Sequence, residues 1–178
     1  MILFLDTSAL VKIYLAEPGS ERMREAVTRE EPQAVSVLAF AEVHATFARR
    51  RREALLLAPE HEQLQLAFAD DWEELTQVQV GAAVLEFVPG LCKRHPLRGA
   101  DAVHLASALF LREEGLEVLF ACSDRNLLEA AAAEGLPTFN PASEDLRAQS
   151  EPMSNVGREE KELEEDAPAQ DPEPDPEA

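Results

Sequence analysis

Short apolar runs that end abruptly in polar residues constrain this chain more than any other feature. Ile2-Leu3-Phe4-Leu5 is unbroken and stops at Asp6. A run that short suits a strand covered on both faces. Ala34 to Leu38 and Val118 to Ala121 repeat the pattern. Helical spacing fills the intervals. Asp6-Thr7-Ser8 is a helix start signal continued by Ala9 to Ala16, and Pro18-Gly19-Ser20 breaks that helix and starts another, through about Arg29. A helix is expected over Ala39 to Arg52, and one from Pro59 to about Leu75. Val78 and Val80 alternate with Gln as a weaker strand. Ala82 to Phe87 reads as helix, ended or kinked by Val88-Pro89-Gly90 before Leu91 to Arg94. Gly99 to Glu114 is helical and capped by Gly115. Asp124 to Glu134 follows, closed by Gly135, and Pro137 to Phe139 is a short last strand. Strands alternating with helices predict an α/β fold with a mainly parallel sheet.

Apolar content collapses at Glu144. Residues 144–178 hold 13 acidic and 3 basic side chains, about half of the chain's net charge of −19. Such a segment buries too little apolar surface to fold. The expected organisation is one domain over residues 1–143 and a disordered acidic, Pro- and Glu-rich tail over 144–178. The mean field repels polyanions, so nucleic acid is handled only through a local basic patch or bound metal ions. Cys92 and Cys122 are expected to be buried in apolar context and are too few for a disulfide framework, which points to a reducing, cytoplasmic setting. No signal peptide or membrane span fits the sequence.

Ligands of open parallel sheets bind beyond the carboxyl ends of the strands. Asp6 follows the first apolar run, Glu42 falls in the first turn after the second, and Asp124 follows the third. Asp101 opens the Gly99 helix. Capping and dipole stabilisation account for any one of these acids. Four at one sheet edge repel one another unless a positive charge sits among them. No Lys or His follows a strand to supply it, and a hard divalent cation such as Mg²⁺ or Mn²⁺ would.

Together, Asp6-Thr7-Ser8-Ala9-Leu10, Glu42 after Ser36-Val37-Leu38, Leu97-Arg98-Gly99-Ala100-Asp101-Ala102-Val103-His104-Leu105-Ala106, and Ser123-Asp124-Arg125-Asn126-Leu127 resemble the PIN-domain signature. All segments come in the family's order, and the likeness spans about residues 1–141. The resemblance implies a three-layer α/β/α sandwich. It implies Asp6, Glu42, Asp101 and Asp124 as an acidic metal site, supported by the hydroxyls of Thr7 or Ser8 and of Ser123. It further implies a Mg²⁺- or Mn²⁺-dependent endoribonuclease of the VapC toxin type, leaving a 5′-phosphate and a 3′-hydroxyl. The expected partners are RNA, a small antitoxin protein and a second copy in a homodimer. Metal-held water would attack the phosphodiester in line.

Arg49-Arg50-Arg51-Arg52 closes the Glu42 helix. Arg49 and Arg50 are RNA-contact candidates, as are Arg98 and Arg125, which flank two of the acids; Lys12, Lys93 and Arg94 are lesser basics near the presumed mouth. His104 lies one turn beyond Asp101 and reads as a packed or hydrogen-bonded histidine rather than a ligand. His44, His61 and His95 read as surface or loop residues, and Tyr14 and Trp72 as packing aromatics. The tail reads first as a solvating extension; the alternatives are mimicry of RNA at the arginine run and metal scavenging. Two other readings share the acids: a nuclease-dead scaffold that binds partners, and a housekeeping RNA-processing nuclease. A phospho-receiver domain fits poorly, because it needs a paired acid after the first strand and a late Lys.

Overall fold

The computed structural model describes residues 1–28 and 31–143. The expected tail, and the expected helix end at Arg29, lie outside the described residues. Strands are β1 (Ile2–Leu5), β2 (Gln33–Ser36), β3 (Thr76–Val78), β4 (Val118–Ala121) and β5 (Thr138–Phe139). Helices are α1 (Thr7–Tyr14), α2 (Ser20–Val27), α3 (Leu38–Arg52), α4 (Ala58–Glu74), α5 (Ala82–Leu85), α6 (Val88–Arg94), α7 (Gly99–Glu113) and α8 (Arg125–Ala133). The strands form one sheet in the order β3-β2-β1-β4-β5, and every neighbouring pair is parallel. Among the described residues, no helix is long and apolar enough to cross a membrane.

Successive strand residues point to opposite faces. Ile2 and Phe4 join Ala34, Val118 and Phe120 on the face covered by α5 to α8. Leu3 and Leu5 join Val35 and Ala121 on the face covered by α1 to α4. Both faces are therefore apolar, which is why the runs are unbroken and the sandwich has three layers. Phe4 stacks on Phe120 with ring centroids 5.6 Å apart. Burial of one such ring contributes about 1.5–3 kcal/mol.

Three boundaries differ from the sequence reading. β2 ends at Ser36 rather than Leu38, where its pairing with β3 also ends. The Val37 N–H still donates to the Val78 carbonyl at 3.1 Å, and the chain turns at once into α3. Glu42 therefore stands in the second turn of its helix, not the first. Near Pro89 the break falls at Glu86-Phe87, because Pro89 sits in the first turn of α6, where its missing N–H costs nothing. β3 occupies Thr76–Val78 instead of reaching Val80.

Gly19 is the one glycine whose place is fixed by a close approach. Its φ is +88°, and a Cβ there would lie 2.4 Å from the Pro141 carbonyl oxygen. The α1–α2 turn thus receives the last described stretch of chain.

Candidate active site

The chain begins in the middle of the sheet, winds outward to β3, then returns to β4 on the other side of β1. The direction of winding reverses between β1 and β4, where a crevice opens at the carboxyl ends of the strands. Asp6 follows β1 there, and its N–H donates to the Ala121 carbonyl at 2.9 Å. Its Oδ2 caps α1, accepting from the Ser8 N–H at 2.9 Å and the Ser8 hydroxyl at 2.6 Å. The Ser8 oxygen in turn accepts from the Ser123 N–H at 2.9 Å. Ser8 is thus a strut between the loops that follow β1 and β4.

Asp124 caps α8 through Oδ1, which accepts from the Leu127 N–H at 2.9 Å. In the first turn of α7, Asp101 Oδ2 accepts from the Arg98 N–H at 3.2 Å. Capping therefore holds for these three aspartates, and each uses one oxygen for it. Glu42 comes from α3 and accepts at Oε2 from the Thr7 hydroxyl. The buried His104 ring stands 2.6 Å from the same oxygen and 3.9 Å from Asp6 Oδ1.

All four acids line one cleft of about 400 Å³, together with Thr7, Ser8, Ser123, Lys12, Arg49 and Arg98. Two of the basic candidates stand elsewhere. Arg50 is bound to Glu17, and Arg125 reaches along α8 to Glu129 at 2.8 Å with its side chain 89% exposed.

The charges interact. Burial, then the charges of Asp6 and Asp124, raise the Asp101 carboxyl above its ordinary value against the pull of Arg98. Burial alone would raise Glu42 too, but hydrogen bonds from His104 and Thr7 and the imidazole charge bring it below. Burial alone would lower His104, yet its bond to Glu42 and the charges of Asp6, Glu42 and Asp101 raise it. No Lys or His follows a strand here, as expected, but His104, from within α7, reaches the acids. The expectation of a hydrogen-bonded His104 agrees with the geometry.

Among the described residues, no three His, Cys, Asp or Glu side chains converge on one ion position as they stand. The donor set nonetheless fits a hard divalent cation. It offers carboxylate oxygens on an open cleft, three of the carboxylates keeping one oxygen free of capping. Ser123 Oγ is buried beside them with no partner among the described residues, as suits a group awaiting a hydrated ion. Glu42, drawn to Thr7 and His104, is the ligand that must shift.

Lys12, Glu17 and Thr46 also line the cleft, although Lys12 ranked among the lesser basics and the other two carried no site role in the sequence reading. The signals were present as helix spacing: Lys12 is four residues after Ser8, and Thr46 is four after Glu42. Two histidines expected at the surface do more. His44 packs edge-on against Phe40, and His95 is 2.6 Å from Glu134. Cys92 is exposed rather than buried; Cys122 is buried, with Sγ 3.5 Å from Asp6 Oδ2.

A parallel sheet with both faces covered and carboxylates gathered at its switch point defines a class of acid-lined α/β proteins. The chain belongs to the PIN domain family, whose model matches residues 3–133. It is 36% identical over 134 residues to ribonuclease VapC49 of Mycobacterium tuberculosis, which covers 75% of this chain and 92% of that one. Ribonuclease VapC46 of the same organism is 31% identical over 141 residues, covering 79% and 98%. Among solved structures, VapBC-1 of nontypeable Haemophilus influenzae matches with a TM-score of 0.58 at 14% identity, covering 80% of this chain and all of that one. FitAcB of Neisseria gonorrhoeae matches with a TM-score of 0.58 at 18% identity, covering 79% and 98%.

Proposed function

We propose that the chain, through residues 1–143, is a divalent-metal-dependent endoribonuclease and the toxin of a VapBC-type toxin–antitoxin pair. The observation that carries the chemistry is the meeting of Asp6, Glu42, Asp101 and Asp124, from four separate elements, in one cleft. Its relatives at 31–36% identity carry the name ribonuclease VapC, which carries the choice of substrate and setting.

Asp6, Asp101 and Asp124 would hold Mg²⁺ or Mn²⁺ through the oxygens that capping leaves free, and Glu42 through Oε1. When bound, such an ion supplies an activated water and offsets charge on the departing oxygen. Ser8 fixes the distance between the Asp6 and Asp124 loops. Ser123 offers its hydroxyl to water near the ion, while Arg49 and Arg98 hold the RNA backbone. A small antitoxin covers the cleft, and the toxin pairs with a second copy of itself.

The test is cleavage of structured RNA by the purified chain with Mn²⁺, Mg²⁺ or EDTA, beside Asp6→Asn. We expect cutting that requires metal, leaves 5′-phosphates and disappears in the variant. Cutting that survives in EDTA or in Asp6→Asn would refute the assignment.

A further inference from the structure

Lys12 is only 6% exposed, yet it lines the cleft that holds the four acids. It lies on α1 one turn after Ser8, so it faces the same way as the hydroxyl that braces Asp6. Removing an ammonium from water costs several kcal/mol unless a well-placed anion offsets it. Glu17, 3.3 Å away, is its acceptor among the described residues, and the same carboxylate also takes Arg50. Two cations on one carboxylate leave a positive charge over. Among the described residues, none of the four site acids lies within ion-pair distance of Lys12, and their close nitrogen partner is His104 instead. Lys12 is thus a mostly buried cation whose one close carboxylate is shared with a second cation.

We propose that Lys12 binds a phosphate of the RNA backbone beside the acids, and that Glu17, shared with Arg50, neutralises its ammonium only in part and so competes with that phosphate. The inference rests on the ribonuclease reading above. Arg49 lines the same cleft but is exposed. Lys12 is already confined by burial, so little side-chain entropy is lost when a phosphate arrives. The surplus charge is then neutralised by the substrate rather than by the protein.

The two halves of the pair act with opposite sign, which separates this role from a structural ion pair. The experiment measures binding of a short labelled single-stranded RNA to the full chain, with Ca²⁺ in place of Mg²⁺, across a salt series. Lys12→Gln should weaken binding about tenfold, as loss of a hydrogen bond to a charged group does. It should also make the salt slope shallower by about 0.7, the value for one phosphate contact on a single strand. Mn²⁺ affinity, read by electron paramagnetic resonance, should not fall. Lys12→Arg should keep the wild-type slope. Glu17→Gln, which frees both cations from their counter-charge, should bind RNA more tightly while lowering the melting temperature.

Unchanged affinity and slope in Lys12→Gln would overturn the proposal. So would weaker RNA binding in both Lys12→Gln and Glu17→Gln, which is what a merely structural pair gives. If Lys12→Gln does not fold, Glu17→Gln decides by the sign of its effect. A wild-type chain that neither binds nor cuts RNA brings down the ribonuclease reading itself, and this inference with it.

Discussion

Asp101 shows how one residue serves the cleft at the expense of the fold. Its carboxyl is raised by burial and by Asp6 and Asp124, so the folded chain holds that proton more tightly than the unfolded chain does. A raised carboxyl stabilises fully below the unfolded value and loses that contribution as pH climbs through the folded one. At neutral pH without metal, ionised Asp101 is therefore a destabilising charge. Asp101→Asn keeps an oxygen to accept from the Arg98 N–H and removes the repulsion. Thermal melts in EDTA should show it more stable by about 0.5 kcal/mol near pH 7, with the gain shrinking toward acid, while cleavage is lost. A loss of stability that is equal at every pH would contradict this. The same scale shows what a sequence conceals. The four acids were legible because three follow apolar runs and one opens a helix. His104 was legible as a hydrogen-bonded histidine and Lys12 only as a lesser basic near the mouth, because their partners depend on which side of a helix turns inward. Arg125 was placed at the mouth because it adjoins Asp124. Consecutive helical residues point about 100° apart, and it turned away to Glu129.

Among the elements, α3 and α4 decide whether the Glu42 side of the cleft exists. Phe47 of α3 and Phe68 of α4 are fully buried, and Tyr14 of α1 meets both rings edge-on, with centroids 5.8 and 5.6 Å away. These rings hold α3 so that Glu42, Thr46 and Arg49 share the cleft face. Phe68→Ala should cost about 3–5 kcal/mol in denaturant unfolding, as the emptied ring site cannot close. A loss under about 1 kcal/mol would show that α4 is not what secures α3. Element types were readable from periodicity, and the covered strands were readable because apolar runs of that length have few other uses. Boundaries were not. The end of β2 depends on its partner β3, and the break near Pro89 fell two residues earlier than expected because proline opens a helix as readily as it ends one.

Over the whole chain, a net charge of −19 should repel RNA, and four carboxylates in one cleft should repel one another. Both difficulties meet at the switch point between β1 and β4. The sheet order brings Asp6 and Asp124 side by side after adjacent strands, and α3 and α7 add Glu42 and Asp101 from the two faces. His104 supplies a hydrogen-bond partner to the acids there, and Lys12 a positive charge toward the substrate. A divalent cation is the remaining part that makes the arrangement coherent. The most direct measurement is therefore a crystal structure of the full chain grown with Mn²⁺, read by anomalous scattering at the manganese edge. We predict a peak in the cleft with oxygens of Asp6 and at least one of Asp101 and Asp124 at about 2.1 Å, and Glu42 turned partly away from His104. Manganese found only elsewhere on the surface, with the cleft acids placed as they are without it, would contradict the account.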